Sequence, residues 1–278
     1  MQLFLPPTEL HGVVECAIVV RRAAGSLSRF PAMPRAMLTL APATGGAAAV
    51  SFHAMSTRAA THEHAEPLRA LGLVLPPDTA ARLLGMSTGA LVDATLPWAE
   101  VAGLCETRRL DDTLQRATDD PARLAALQSS LERVLSRGPE RVRRARAEAL
   151  QRLCHAVGHQ GARAATDLGL GERQLERRCR ALLGLTPKQM QRITRLHGLL
   201  SDALHRQRPP DVNAALQAGY YDQSHLARDT RLLTGTTLRE LLLQAHADGA
   251  WWPLGTQRLL ARGKSVNQPR IGALRHHR

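Results

Sequence analysis

The chain is poor in aromatic residues, with three Phe, three Trp and two Tyr among 278. Its cores must therefore be built from Leu, Ala and Val, which an apolar content of 44% can supply. Cysteine is scarce as well. Cys16, Cys105, Cys154 and Cys179 stand far apart with no Cys-x-x-Cys pair, which argues against a zinc site or a disulfide frame and predicts buried thiols in a reducing cytosol. No apolar run reaches the ~18 residues of a membrane-spanning helix. The opening MQLFLPPTELHG lacks the charged-then-apolar order of a secretory signal. A soluble, cytoplasmic protein with no membrane partner is expected. Catalytic signatures are missing too: there is no Gly-x-Ser-x-Gly, no His-Glu-x-x-His and no phosphate loop. His62 and His64, with Glu63 and Glu66, read as a solvent-facing polar loop rather than a metal site, and Asp111-Asp112 and Asp119-Asp120 read as helix caps. No catalytic residue, metal or cofactor is expected, and the chain does not read as an enzyme.

Lysine is nearly absent, two residues beside 35 Arg, yet the net charge is +13. That excess is one-sided. Residues 1–137 carry 13 Arg and 13 acidic residues, whereas residues 138–278 carry 24 basic and 11 acidic ones. A GC-rich genome accounts for Arg in place of Lys, but not for the asymmetry. A basic half joined to a neutral half suits a polyanion-binding module attached to something else.

The neutral half is punctuated at short intervals by turn formers, from Pro6-Pro7 through Gly25, Pro31, Pro34, Gly45-Gly46 and Pro76-Pro77 to Pro97. Short apolar runs between them (Ala17 to Val20, Met37 to Leu40, Ala47 to Phe52, Leu71 to Leu75) predict strands. Pro-Pro-Asp predicts a short helix to Leu84 with Asp78 as its cap. From Trp98 the apolar residues recur at helical spacing, to Leu104, over Asp111–Ala117 and over Pro121–Leu135. Leu124, Leu127, Leu131, Val134 and Leu135 form one stripe, expected to pack within the chain. After the break at Ser136 to Pro139, helices are predicted at about 140–157, 162–168, 172–183, 188–205, 211–218, 223–233 and 237–247. The expected fold is α+β, a small β-rich domain over 1–97 and a helical linker over 98–137, followed by an all-α domain over 138–248. A basic, flexible tail is expected over 249–278.

Within the basic half one pattern occurs twice, as AATDLGLGERQLERRCRALLG from Ala164 and AALQAGYYDQSHLARDTRLLTG from Ala214. Ala165 falls on Ala215 and Gly169 on Gly219; one residue longer in the second turn, Leu175 then falls on Leu226, Arg177 on Arg228, Arg180 on Arg231 and Gly184 on Gly235. A small residue, a glycine four later and an apolar residue beyond is the spelling of a helix-turn-helix: close helix crossing, a sharp bend, and a lock for the second helix. The intervening helix of about 18 residues would measure roughly 27 Å. A rod of that length suits two recognition helices about one turn of double-stranded DNA apart, roughly 34 Å.

Gly184 to Pro187, Arg192 to Leu196 and, most specifically, Ala218 to Arg228 (Ala-Gly-Tyr-Tyr-Asp-Gln-Ser-His-Leu-Ala-Arg) closely resemble the AraC/XylS family of transcription regulators. The resemblance covers about residues 160–245. It implies two helix-turn-helix motifs joined by a long helix, with double-stranded DNA as partner, and RNA polymerase as a further partner if the chain activates. More weakly, Pro34 to Leu40 and Leu71 to Asp78 are similar to the β-rich sensor domains of some members, which implies a small-molecule effector or a protein partner. Cys179 and Thr230 stand where the family usually has Phe, and Leu238 where it usually has Pro. Each lost ring would cost on the order of a few kcal/mol if nothing compensates, and the Thr230 hydroxyl would need a backbone acceptor. These departures motivate an alternative, a sensing or interaction protein whose DNA binding is weakened and largely non-specific. None of the cysteines stands in the Pro-Cys-His-Arg setting of a methyl-transfer repair relative.

Periodicity sorts the recognition helices. Leu175, Cys179 and Leu182 are expected to face inward on the first, leaving Arg173, Glu176, Arg177 and Arg180 outward. On the second, Leu226, Thr230 and Leu233 face in and Gln223, Ser224, Arg228 and Arg231 face out. Arg suits guanine, Gln suits adenine and Glu accepts from cytosine. His225 is expected to meet a phosphate. Arg35, His53 and the His62–His64 segment are the polar clusters open to an effector.

Overall fold

The computed structural model describes residues 2–42, 48–84, 91–206 and 208–247. The tail expected over 249–278 lies outside them. Strands come first: β1 (Gln2–Phe4), β2 (Cys16–Arg22), β3 (Ser26–Phe30), β4 (Ala36–Pro42), β5 (Ala48–His53), β6 (Ala60–His64) and β7 (Leu68–Leu75), then helix α1 (Pro77–Leu84) and strand β8 (Thr95–Pro97). Six of them form an antiparallel sheet in the order β1-β2-β7-β4-β5-β8, while β3 and β6 pair with each other. The two-residue period of a strand sends alternate side chains to opposite faces. Ala17, Val19, Leu38, Leu40, Leu71 and Leu73 enter one core; Cys16, Ile18, Val20, Met37 and Val74 enter another, closed by Phe30 of β3. Both faces of the sheet are covered, so its inner strands read as unbroken apolar runs.

The first face is covered by α2 (Trp98–Ala102), α3 (Leu104–Arg116) and α4 (Asp120–Leu135). Asp119 caps α4 by accepting the Ala122 N–H at 2.8 Å, with Pro121 in the first turn. The stripe Leu124, Leu127 and Leu131 is fully buried against the sheet, as expected of packing within the chain. A buried relay ties these helices together. The Trp98 indole N–H donates to Ser130 Oγ at 3.0 Å, Ser130 Oγ donates to Glu106 Oε1 at 2.7 Å, and Arg133 grips the same carboxylate at 2.8–3.1 Å. Burial alone would raise the Glu106 pKa; the bonds from Arg133 and Ser130 outweigh it and hold it below the ordinary value.

Four expectations need correction. His62 and His64 lie on a strand, not a loop: β6 is polar on both faces, so no apolar alternation marks it, yet it pairs with β3 along its whole length. Asp111 and Asp112 lie inside α3, because the break falls at Gly103 (φ 83°) and nothing interrupts the helix after it. Asp78 is in the first turn of α1 and buried rather than capping it. Cys105 is exposed, on the outer side of α3; the other three thiols are buried and all four are free.

The rest is helical: α5 (Glu140–Gln160), α6 (Ala164–Asp167), α7 (Glu172–Leu183), α8 (Pro187–Arg206), α9 (Val212–Gln217), α10 (Gln223–Thr234) and α11 (Leu238–Ala247). A short 3-10 turn, Gly161–Arg163, precedes α6 and trims the helix expected from Ala162. Leu150, Leu153, Val157, Leu175, Ile193, Leu196, Leu200, Leu233 and Leu241 form one core. Ala32, Met55 and Ala81, from the strand-rich region, are buried in that same core.

Candidate nucleic-acid interface

The two repeats fold into matching helix pairs, α6–α7 and α9–α10. Ala165 and Ala215 are both buried, and their carbonyls accept from the Leu170 and Tyr220 N–H groups, each at 2.9 Å. Gly169 (φ 62°) and Gly219 (φ 84°) make the bends in a backbone region that L side chains rarely adopt. Both recognition helices end in left-handed glycines, Gly184 (φ 71°) and Gly235 (φ 73°), whose N–H groups bond to the carbonyls of Arg180 and Arg231. The aligned lock residues Leu175 and Leu226 are buried, as are Cys179 and Thr230 where a ring was missing. Thr230 Oγ1 donates to the Leu226 carbonyl at 2.8 Å, which meets its need for an acceptor. Burial pushes the Cys179 thiol up to about 12, so it remains protonated and inert. On α7 the third inward residue is Leu183; Leu182, expected there, is half-buried.

Caps set the starts. Asp211 and Asp222 accept the N–H groups of Ala214 and His225, at 2.7 and 2.6 Å. Thr186 and Gln189 cap α8 reciprocally: Thr186 Oγ1 accepts the Gln189 N–H at 3.1 Å and Gln189 Oε1 accepts the Thr186 N–H at 2.9 Å.

All of Arg173, Glu176, Arg177 and Arg180 are exposed on α7, and Gln223, Ser224, Arg228 and Arg231 on α10. Arg180 pairs with Glu176 at 2.9 Å along the helix, and Arg228 Nε donates back to the Ser224 carbonyl at 3.2 Å. Their faces are polar and basic, and on the second Tyr221, just before α10, and Leu232, one turn after Arg228, are exposed beside them. His225 is different. It is half-buried, its ring edge-on to Tyr220 with centroids 5.1 Å apart and its Nε2 3.8 Å from Asp229.

That contact belongs to a network the sequence did not reveal. Asp229, only 2% exposed at its side chain, accepts from Arg192 Nε at 2.6 Å and Arg195 Nη2 at 3.0 Å, both on α8. Arg195 also donates to the Gly219 carbonyl at 3.0 Å and lies 4.2 Å over the Tyr220 ring. Burial pushes the Tyr220 hydroxyl up to about 12. One signal was available: Asp229 aligns with Arg178, which is exposed, so the two repeats differ in charge at the position where α10 pairs with the arginines of α8.

In the strand-rich region a cavity of about 240 Å³ is lined by Met33, Met37, His53, Arg58, Ala59 and His62 among others. His53 Nε2 lies 2.9 Å from Thr39 Oγ1, and burial, with His62 nearby, holds its pKa below the ordinary value. His62 packs edge-on to Phe30, whereas His64 bonds Ser28 at 2.9 Å. Arg35 pairs with Glu15 at its edge.

Residues 164–244 match a family described as a helix-turn-helix domain. This segment is a helix-turn-helix domain of the AraC type, a DNA-binding module of transcription regulators. No curated protein matches the chain. Among solved structures, ToxT from Vibrio cholerae O395 is similar at 10% identity and a TM-score of 0.44, over 83% of this chain and 98% of that one. Unsaturated fatty acid-bound wild-type ToxT from V. cholerae strain SCE256 aligns at 12% identity and a TM-score of 0.41, over 82% of this chain and 94% of that one. Among the described residues no helix is long and apolar enough to cross a membrane.

Proposed function

We propose that the chain is a sequence-specific regulator of transcription that reads two adjacent major-groove segments, one with α7 and one with α10. The observation that carries this reading is the congruence of the two helix pairs, down to their bends and their C-terminal glycines, at the two ends of one 20-residue helix. At 1.5 Å per residue α8 is about 30 Å long, close to one turn of duplex. Arg173, Glu176, Arg177 and Arg180 would work in one groove segment, and Gln223, Ser224, Arg228 and Arg231 in the next. Arg offers guanine a bidentate fork and Gln offers adenine a matched donor and acceptor. His225, engaged with Tyr220 and Asp229, borders the backbone rather than the bases. An effector would occupy the cavity beside His53 and His62, and RNA polymerase is the further partner if the chain activates. Selection of bound genomic fragments, followed by sequencing, tests the reading: a bipartite site with a fixed separation supports it, and binding with strong salt dependence but no preferred sequence refutes it.

A further inference from the structure

Ala32 belongs to the loop between β3 and β4, yet it is fully buried in the core of the C-terminal helices. Its peptide group is held from two sides. The N–H donates to the Leu233 carbonyl at 2.7 Å, one of the terminal carbonyls of α10 that the helix itself leaves without a donor. The Ala32 carbonyl lies 2.6 Å from Nε2 of His197, on α8. An imidazole nitrogen facing a carbonyl must carry its hydrogen, so His197 is the Nε2–H tautomer. Its Nδ1 is buried with no hydrogen-bond partner, a cost the fold retains along with the other bond. Burial, with the Arg35 charge adding to it, pushes the His197 pKa down to about 3, so the ring is a neutral donor. Beside this contact Arg29 bonds Gln244 of α11, and a side chain at Gly235 would stand 3.5 Å from Ala59.

Asp229 and Leu233 are one helical turn apart on α10. The arginines of α8 hold the first and the Ala32 peptide holds the second. A helix fixed at one point can pivot; fixed at two it cannot. We propose that His197 and the Ala32 peptide form a latch through which the strand-rich region positions α10 on α8 and so fixes the spacing between the two DNA elements. This rests on the two-segment reading above. His197, buried, is a positioning residue and touches no DNA.

The test uses the full chain and a DNA library in which the two elements are separated by a variable spacer. Wild type is expected to enrich one separation. His197→Leu, which keeps the bulk and removes the donor, is expected to spread over separations roughly one base pair to either side and to bind the best site about ten-fold more weakly. His197→Gln, which returns an N–H near the Nε2 position, should narrow the distribution again. A folded His197→Leu chain with the wild-type spacing distribution overturns the latch and leaves the two-segment reading standing. A wild-type chain that enriches no paired elements removes that reading, and the latch with it. Should His197→Leu fail to fold, amide exchange in wild type decides: Ala32 protected together with the core amides of α10 upholds the latch, and Ala32 exchanging at the rate of an open loop overturns it.

Discussion

Single side chains carry the most direct tests. Arg177→Ala and Arg228→Ala remove exposed groups without touching the core, so circular dichroism should be unchanged. Each should lower affinity for a selected site by about 1–3 kcal/mol, measured by fluorescence anisotropy, with selectivity relaxed at one base pair. Affinity unchanged in both would remove these arginines from the interface. Asp229→Ala acts differently, because it strands Arg192 and Arg195 against a buried gap. Breaking a buried pair from one side costs about 3–5 kcal/mol; with Arg192 a third exposed, about 2–3 kcal/mol is the better figure, read as a lower urea midpoint. His197 should show itself through pH. Its folded pKa, about 3, lies below the ordinary 6.5, so the unfolded chain takes up the proton first as pH falls. The stability this residue contributes is complete above pH 6.5 and drains away towards pH 3. Wild type should therefore lose on the order of 1–2 kcal/mol more than His197→Gln between about pH 7 and pH 5, and parallel urea curves would sink the idea.

At the level of elements, the two helix pairs should respond alike. Gly184→Ala and Gly235→Ala each force an L residue into the left-handed region at a helix end, at a cost of roughly 1–2 kcal/mol; thermal denaturation of the two variants should give similar shifts. Much of this architecture was legible in the sequence. Repeated Ala, Gly and Leu positions announced the helix pairs, because bends are local and depend on residue type. Where rings are missing, Cys179 and Thr230 are buried all the same, and the Thr230 hydroxyl has its acceptor. What stayed hidden was long-range. β6 is a polar strand that exists because β3 lies beside it. Asp229 is inward only because α8 brings two arginines to meet it. The Ala32 contact joins residues some two hundred positions apart through backbone atoms, which leave no trace in residue type.

Across the whole molecule, charge and core divide the chain differently. The charge excess begins at residue 138, and binding should weaken steeply with salt, the slope of log affinity against log salt falling by about one for each phosphate-contacting Arg replaced. Titrations at several potassium concentrations measure it; a slope unaltered in every Arg variant would place the contacts elsewhere. The core, in contrast, does not stop at residue 138, since Ala32, Met55 and Ala81 reach across to fill it. A gene trimmed to the basic half would thus encode a helical domain missing three of its own plugs. Swapping another strand-rich domain onto it would fail for the same reason, unless that domain brought equivalent residues, so the two halves are bound to be inherited and altered together.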